Sequence, residues 1–107
     1  MARAVKRGEV RWYRFAKPDK RRPVLVLTRT SATSYLAELT IAPITSTVRG
    51  IPSEVPLGTA DGMPRECAVN LDHLQTVSKA RIGTLVTTLP PERMDEVREA
   101  LLFALEM

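Results

Sequence analysis

The chain has 107 residues, 44% of them apolar, with 16 Lys and Arg against 12 Asp and Glu and a formal charge of +4. That length suits a single domain spanning 1–107 with a core of its own, and leaves no room for two domains, a long repeat array or a large cofactor fold. Unbroken apolar runs such as 23–27 are far shorter than the ~20 residues of a membrane helix, the basic start is not followed by a signal-peptide core, and the one cysteine, Cys67, excludes an internal disulfide framework and a cysteine-built metal site, so a soluble cytoplasmic protein is expected.

Residues 8–15 alternate with a strand period. Val10, Trp12 and Arg14 fall on one face and Arg11, Tyr13 and Phe15 on the other. Residues 16–22 are a short polar connection whose Lys17-Pro18-Asp19-Lys20 has turn chemistry. Residues 23–28 are apolar and rich in β-branched side chains, a strand buried on both faces. Residues 36–44 form a third strand, with Leu39, Ile41 and Pro43 alternating against Glu38, Thr40 and Ala42, and with Pro43 marking a bulge or the strand end. Residues 53–57 read as a short edge strand and 58–64 as a loop with two glycines. Strand material at 66–71 and 74–77 flanks Asp72-His73, and 78–82 make one short helical turn. A helix begins at Pro91, with an acid in its first turn. Met94, Val97, Leu101 and Ala104 or Leu105 share its apolar face. The pattern is mainly β with a C-terminal helix, most simply a small twisted barrel.

Charge divides the chain. Residues 1–29 carry ten Lys and Arg against two Asp and Glu, a balance of +8, and the remainder carries six against ten, a balance of −4. Such asymmetry suits a polyanion near the N-terminal third, or else a plain solvated surface. The inventory is narrow. One His and one Cys give no zinc-ligand spacing, Gly58 and Gly62 are isolated rather than part of a phosphate loop, and Glu54, Asp61, Glu66 and Asp72 match no metal-motif spacing. What stands out is arginine beside hydroxyls at strand ends. Arg22 precedes the φ-fixed Pro23, and Thr45-Ser46-Thr47 is followed by Arg49. A planar guanidinium fork and a hydroxyl donor suit phosphate. The bland alternatives are an exposed strand-end charge and a hydroxyl that satisfies its own backbone.

Five segments in this order resemble the MazF/PemK family of toxin endoribonucleases over nearly the whole chain. They are Gly8-Glu9-Val10-Arg11-Trp12, Arg22-Pro23-Val24-Leu25-Val26-Leu27, Pro43-Ile44-Thr45-Ser46, Ile51-Pro52-Ser53-Glu54-Val55, and the stretch from Asp72-His73-Leu74-Gln75-Thr76-Val77 to Ser78-Lys79-Ala80-Arg81-Ile82. The resemblance implies an SH3-like (PemK/CcdB-type) small β-barrel with a C-terminal helix. It implies the toxin of a type II toxin–antitoxin pair, cutting single-stranded RNA (mRNA, tRNA or rRNA) at short specific sequences. It further implies no cofactor or metal, and products with a 2′,3′-cyclic phosphate and a 5′-hydroxyl. Its partners would be an identical subunit, forming a homodimer, and a cognate acidic, MazE-like antitoxin whose flexible tail folds into the basic groove.

Carried onto this chain, the resemblance makes Arg22 and Thr45 the catalytic residues, Arg22 neutralising phosphorane charge and Thr45 donating to a phosphoryl oxygen. The connection before Arg22 is shorter than in many members and lacks their Gly and Glu. Lys17, Lys20 and Arg21 there are therefore phosphate contacts by charge and position only, with Ser46 and Arg49 further candidates for RNA binding. His73 stands where the family usually has Gln and reads as a surface or structural residue rather than a catalytic one. Trp12 reads as core or dimer interface more than as a base-stacking platform. Two alternatives stay open. One is a binding-only nucleic-acid barrel. The other is a gyrase poison like the CcdB relatives, although those rely on a C-terminal Trp-Gly-Ile where this chain has Phe103-Ala104-Leu105-Glu106-Met107.

Overall fold

Strand β1 (Glu9–Arg14) forms where Gly8, at φ +93°, turns the chain in from the N-terminal segment, a backbone conformation that costs glycine little. The computed structural model describes residues 4–15 and 21–107. Then follow β2 (Arg21–Val26), a single helical turn α1 (Thr30–Thr33), β3 (Glu38–Thr45), β4 (Glu54–Leu57), β5 (Cys67–Asn70), β6 (Gln75–Ser78), β7 (Ile82–Thr88) and the helix α2 (Pro91–Leu105). The strands run antiparallel in the order β4-β5-β3-β2-β1-β7, with β6 paired to β3.

The alternation read in β1 is realised as two cores, one on each face of the sheet. Val10, Leu25, Ala42 and Ile44 join Val55, Leu57, Val69, Leu71, Val97 and Ala100 in the core beneath α2. Tyr13, Val24, Val26, Leu39, Ile41, Val77 and Ile82 form the second core, around which the sheet curls into a half-barrel. Both faces of the sheet centre are thus buried, as the unbroken apolar run in β2 requires. Met94, Leu101 and Ala104 turn to the first core, while Leu105 is half exposed.

The structure departs from the sequence reading, or goes beyond it, at three points. Pro43 neither ends β3 nor kinks it: it lies opposite Val24 in unbroken register, and the strand continues to Thr45. Its missing N–H falls where the neighbour of β3 changes, because β6 pairs with Glu38 to Ile41 and β5 with Ile44 and Thr45. The second point is β7, which its sequence does not announce. Its pairing with β1 shifts register between Val10 and Arg11 and again between Arg11 and Tyr13, so two extra residues on β7 break the alternation. Gly83 sits in that irregular stretch because a Cβ there would come 3.0 Å from the Trp12 carbonyl oxygen. Third, α1 falls in a stretch that carries no helical periodicity. Among the described residues, no helix is long and apolar enough to cross a membrane.

Polar residues lock the barrel seam. Arg11 and Glu9 are both buried, with Arg11 Nε donating to Glu9 Oε1 at 2.8 Å. Arg11 also donates to the carbonyl oxygens of Gly83 (3.0 Å) and Ala4 (3.3 Å), and the Lys6 amide donates to Glu9 Oε1 at 3.0 Å. One guanidinium therefore ties together β1, β7 and the segment before β1.

Candidate functional site

The ends of β2 and β3 carry the residues that the sequence singled out. The β2–β3 pairing runs from Val26 beside Ile41 to Val24 beside Pro43, and Arg22 and Thr45 each lie two residues beyond its last pair. Arg22 lies opposite Tyr13 of β1, and that pairing defines its position. Its exposed side chain forms no ion pair among the described residues.

Thr45 Oγ1 accepts a hydrogen bond from the Thr47 amide at 3.1 Å. That bond orients the hydroxyl and leaves its own proton available for a ligand. Arg22, Ile44 and Thr45 line two clefts, one on each side of this strand end. The first, about 360 Å³, is completed by Trp12, Arg21, Pro23, Ser46, Met63, Pro64, Arg65 and Cys67. The second, about 320 Å³, is completed by Phe15, Pro43, Asn70, His73 and Gln75. Among the described residues lining them, every acid–base group with a fixed charge is an arginine, which makes the strand end attractive to an anion.

The 58–66 connection supplies one wall of the first cleft, and α2 anchors it. Arg93 Nε donates to Asp61 Oδ1 at 3.0 Å, Arg93 Nη1 donates to Glu96 Oε1 at 2.6 Å, and Arg93 also donates to the Pro56 carbonyl. Asp61 in turn accepts from the Gly58 amide at 2.9 Å. Burial acts to lower the Arg93 pKa, but the hydrogen bond to Glu96 and the charge of Asp61 hold it above the ordinary arginine value. Cys67, on the cleft floor, is buried. Burial first, then the negative charges of Glu66 and Asp61, push its thiol above the ordinary value, against the opposing charge of Arg65.

The candidate set is only partly brought together. Arg21, Arg22, Thr45 and Ser46 share the first cleft. Arg49 lines neither cleft; its amide donates to Glu54 Oε1 at 2.9 Å. Lys17 and Lys20, and the short connection that distinguishes this chain, lie outside the described residues. Two readings change. His73 is exposed, as expected of a surface residue, but it shares the second cleft with Arg22 and Thr45. Trp12 belongs to neither core. It is half-buried in the first cleft, with the Arg21 guanidinium carbon 4.5 Å from its ring centre. The signal for His73 was in the sequence, three residues beyond Asn70, but only the pairing of β5 with β3 brings it to the cleft.

Residues 6–105 match the family described as PemK-like, MazF-like toxin of type II toxin-antitoxin system. The chain is 42% identical over 101 residues to the probable endoribonuclease MazF5 of Mycobacterium tuberculosis, covering 94% of this chain and 92% of that protein. Among solved structures, the Mycobacterium tuberculosis toxin MazF-mt6 superposes with a TM-score of 0.85 at 32% identity, over 92% of this chain and 97% of the other. An endoribonuclease in complex with its cognate antitoxin, from a mycobacterial species, superposes with a TM-score of 0.86 at 26% identity, over 97% of each chain. With nearly its whole length matched and the half-barrel and terminal helix shared, the chain belongs to the PemK-like, MazF-like toxin family of type II toxin–antitoxin systems.

Proposed function

We propose that this toxin is a metal-independent endoribonuclease that cuts single-stranded RNA at specific sequences, using the substrate's own 2′-hydroxyl as nucleophile. The observation that carries the reading is that Arg22 and Thr45 together line both clefts at a strand end whose fixed charges are arginines alone. An in-line attack forms the O2′–P bond and breaks the P–O5′ bond, leaving a 2′,3′-cyclic phosphate and a 5′-hydroxyl. Arg22 holds the phosphate and offsets the charge that grows on its oxygens, and Thr45 donates its hydroxyl proton to one of them. Preorganised donors of this kind contribute roughly 10²–10³ in rate each. Arginine stays protonated and serves poorly as a base. The 2′ proton passes to a water in the cleft, and a second water supplies the proton for the leaving 5′ oxygen.

The same reading assigns two protein partners. An identical subunit would use apolar surface such as Leu85, Phe103 and Leu105, all about half exposed or more. A cognate acidic antitoxin would cover the arginine-lined clefts, as the +8 balance of the N-terminal third favours. The decisive experiment is cleavage of a long mixed-sequence single-stranded RNA in EDTA, with product ends mapped and Arg22→Ala run alongside. Discrete cuts bearing 5′-hydroxyl ends and lost in the variant are expected. Uncut RNA with folded protein, or normal cutting by folded Arg22→Ala, would overturn the reading.

A further inference from the structure

The first cleft holds more than phosphate binding requires. An anion is satisfied by arginines and a hydroxyl, yet this cleft is built around an indole. Trp12 is the one tryptophan of the chain, half-buried and outside both cores, with the Arg21 guanidinium 4.5 Å from its ring centre. Trp12 lies opposite Pro23, and Arg21 is the diagonal neighbour across the same pair of strands, so register brings the two together. Met63 and Pro64 line the same cleft with apolar atoms, and Ser46 adds a hydroxyl to its lining.

A planar cation beside an indole, apolar walls, a hydroxyl at the edge and a volume of about 360 Å³ match a ligand with aromatic faces and polar edges. Arg22 lines the same cleft, so such a ligand lies next to the phosphate that Arg22 would hold. We infer that the Trp12–Arg21 pair is the seat of a nucleobase adjoining the scissile phosphate, stacked on the guanidinium and indole and contacted at its edge by Ser46. This rests on the RNA-cleaving reading and adds to it the place where one base is held. Arg21 here acts by its planar face and not only by its charge.

The uniqueness of Trp12 makes the seat directly observable. A fluorescein-labelled mixed-sequence RNA with 2′-fluoro sugars, which cannot supply the nucleophile, is titrated into the full chain. Anisotropy of the label reports binding, and the intrinsic emission of Trp12 reports occupancy of the seat. Quenching of Trp12 that tracks the anisotropy with one midpoint is expected. Arg21 is exposed, so its variants keep the fold. Arg21→Ala and Arg21→Lys are both expected to bind about ten- to a hundredfold more weakly, in line with the loss of a stacked base. Arg21→Lys matching the parent would reduce Arg21 to a charge and overturn the proposal. Binding without any change in Trp12 emission would overturn it as well, while leaving RNA binding intact. No binding of this RNA together with no cutting of natural RNA would instead refute the endoribonuclease reading beneath it, so the two failures are distinguishable.

Discussion

Replacing Arg11 with methionine is expected to cost about 3–5 kcal/mol of folding free energy, although the change keeps most of the aliphatic stem. The ion pair with Glu9 is 2.8 Å long, and the two side chains are only 10% and 11% exposed. At an effective dielectric near 20, charges at that distance attract by roughly 6 kcal/mol, most of which offsets the desolvation of both ions. Removing the guanidinium strands the Glu9 carboxylate with the Lys6 amide as its remaining partner among the described residues, and takes a donor from the Ala4 and Gly83 carbonyls. The loss is therefore dominated by the stranded charge. Adding Glu9→Gln to Arg11→Met should then recover about 2 kcal/mol. Urea denaturation followed by circular dichroism measures it, as a midpoint shift at constant slope. Costs that simply add in the double variant, or an Arg11→Met cost below about 1 kcal/mol, would refute the argument that one buried pair holds the seam.

Three further outcomes are expected. Arg93→Ala should lower stability by about 2–3 kcal/mol, the worth of its charged hydrogen bonds, and should speed limited proteolysis in the 58–66 connection that Arg93 anchors. His73→Gln, which installs the residue usual in the family, should keep the fold and leave kcat and KM within about threefold of the parent, read by single-turnover cleavage of a defined RNA; a hundredfold loss of kcat would place His73 in the reaction. Cys67 should react slowly with iodoacetamide in the native protein at about pH 8 and rapidly once unfolded in urea. Folding favours its neutral thiol, so that contribution is complete below the ordinary value of 9.0 and is lost as pH rises through the higher folded value. Fast native alkylation would contradict this.

Periodicity made β1 and the apolar face of α2 legible, and the unbroken apolar run of β2 announced a strand buried on both faces. Neither signal revealed β7, whose two bulges set Ile82, Gly83, Leu85 and Val86 out of alternation. Glu9 and Arg11 lie where a strand pattern reads as mixed, and their burial depends on Ala4, Lys6 and Gly83, contacts that no local pattern records. At the site, the Arg-Pro and Thr-Ser pairs could be picked out by residue type. That Arg22 and Thr45 come to the same clefts depends on strand register, which becomes visible only once Val24 is seen beside Pro43. Trp12 was read as core or dimer interface; it belongs to neither core, and its half-burial follows from its place beside the exposed Arg21.

Neighbouring residues at the end of β2 look in opposite directions: Arg22 shares the Tyr13 side, and Arg21 shares the Arg14 side. Arg22 nevertheless reaches the first cleft over the rim, so a nucleotide held by both would bend there, its phosphate at the rim and its base beside Arg21 in the cleft. A helical duplex keeps bases stacked inward and phosphates outward at a fixed spacing, and it cannot hook over an edge one strand thick without breaking pairs. On the proposed reading, the alternation of a β-strand at this rim would be a filter for strandedness, admitting a supple single chain and turning away a stiff double one before any base is read.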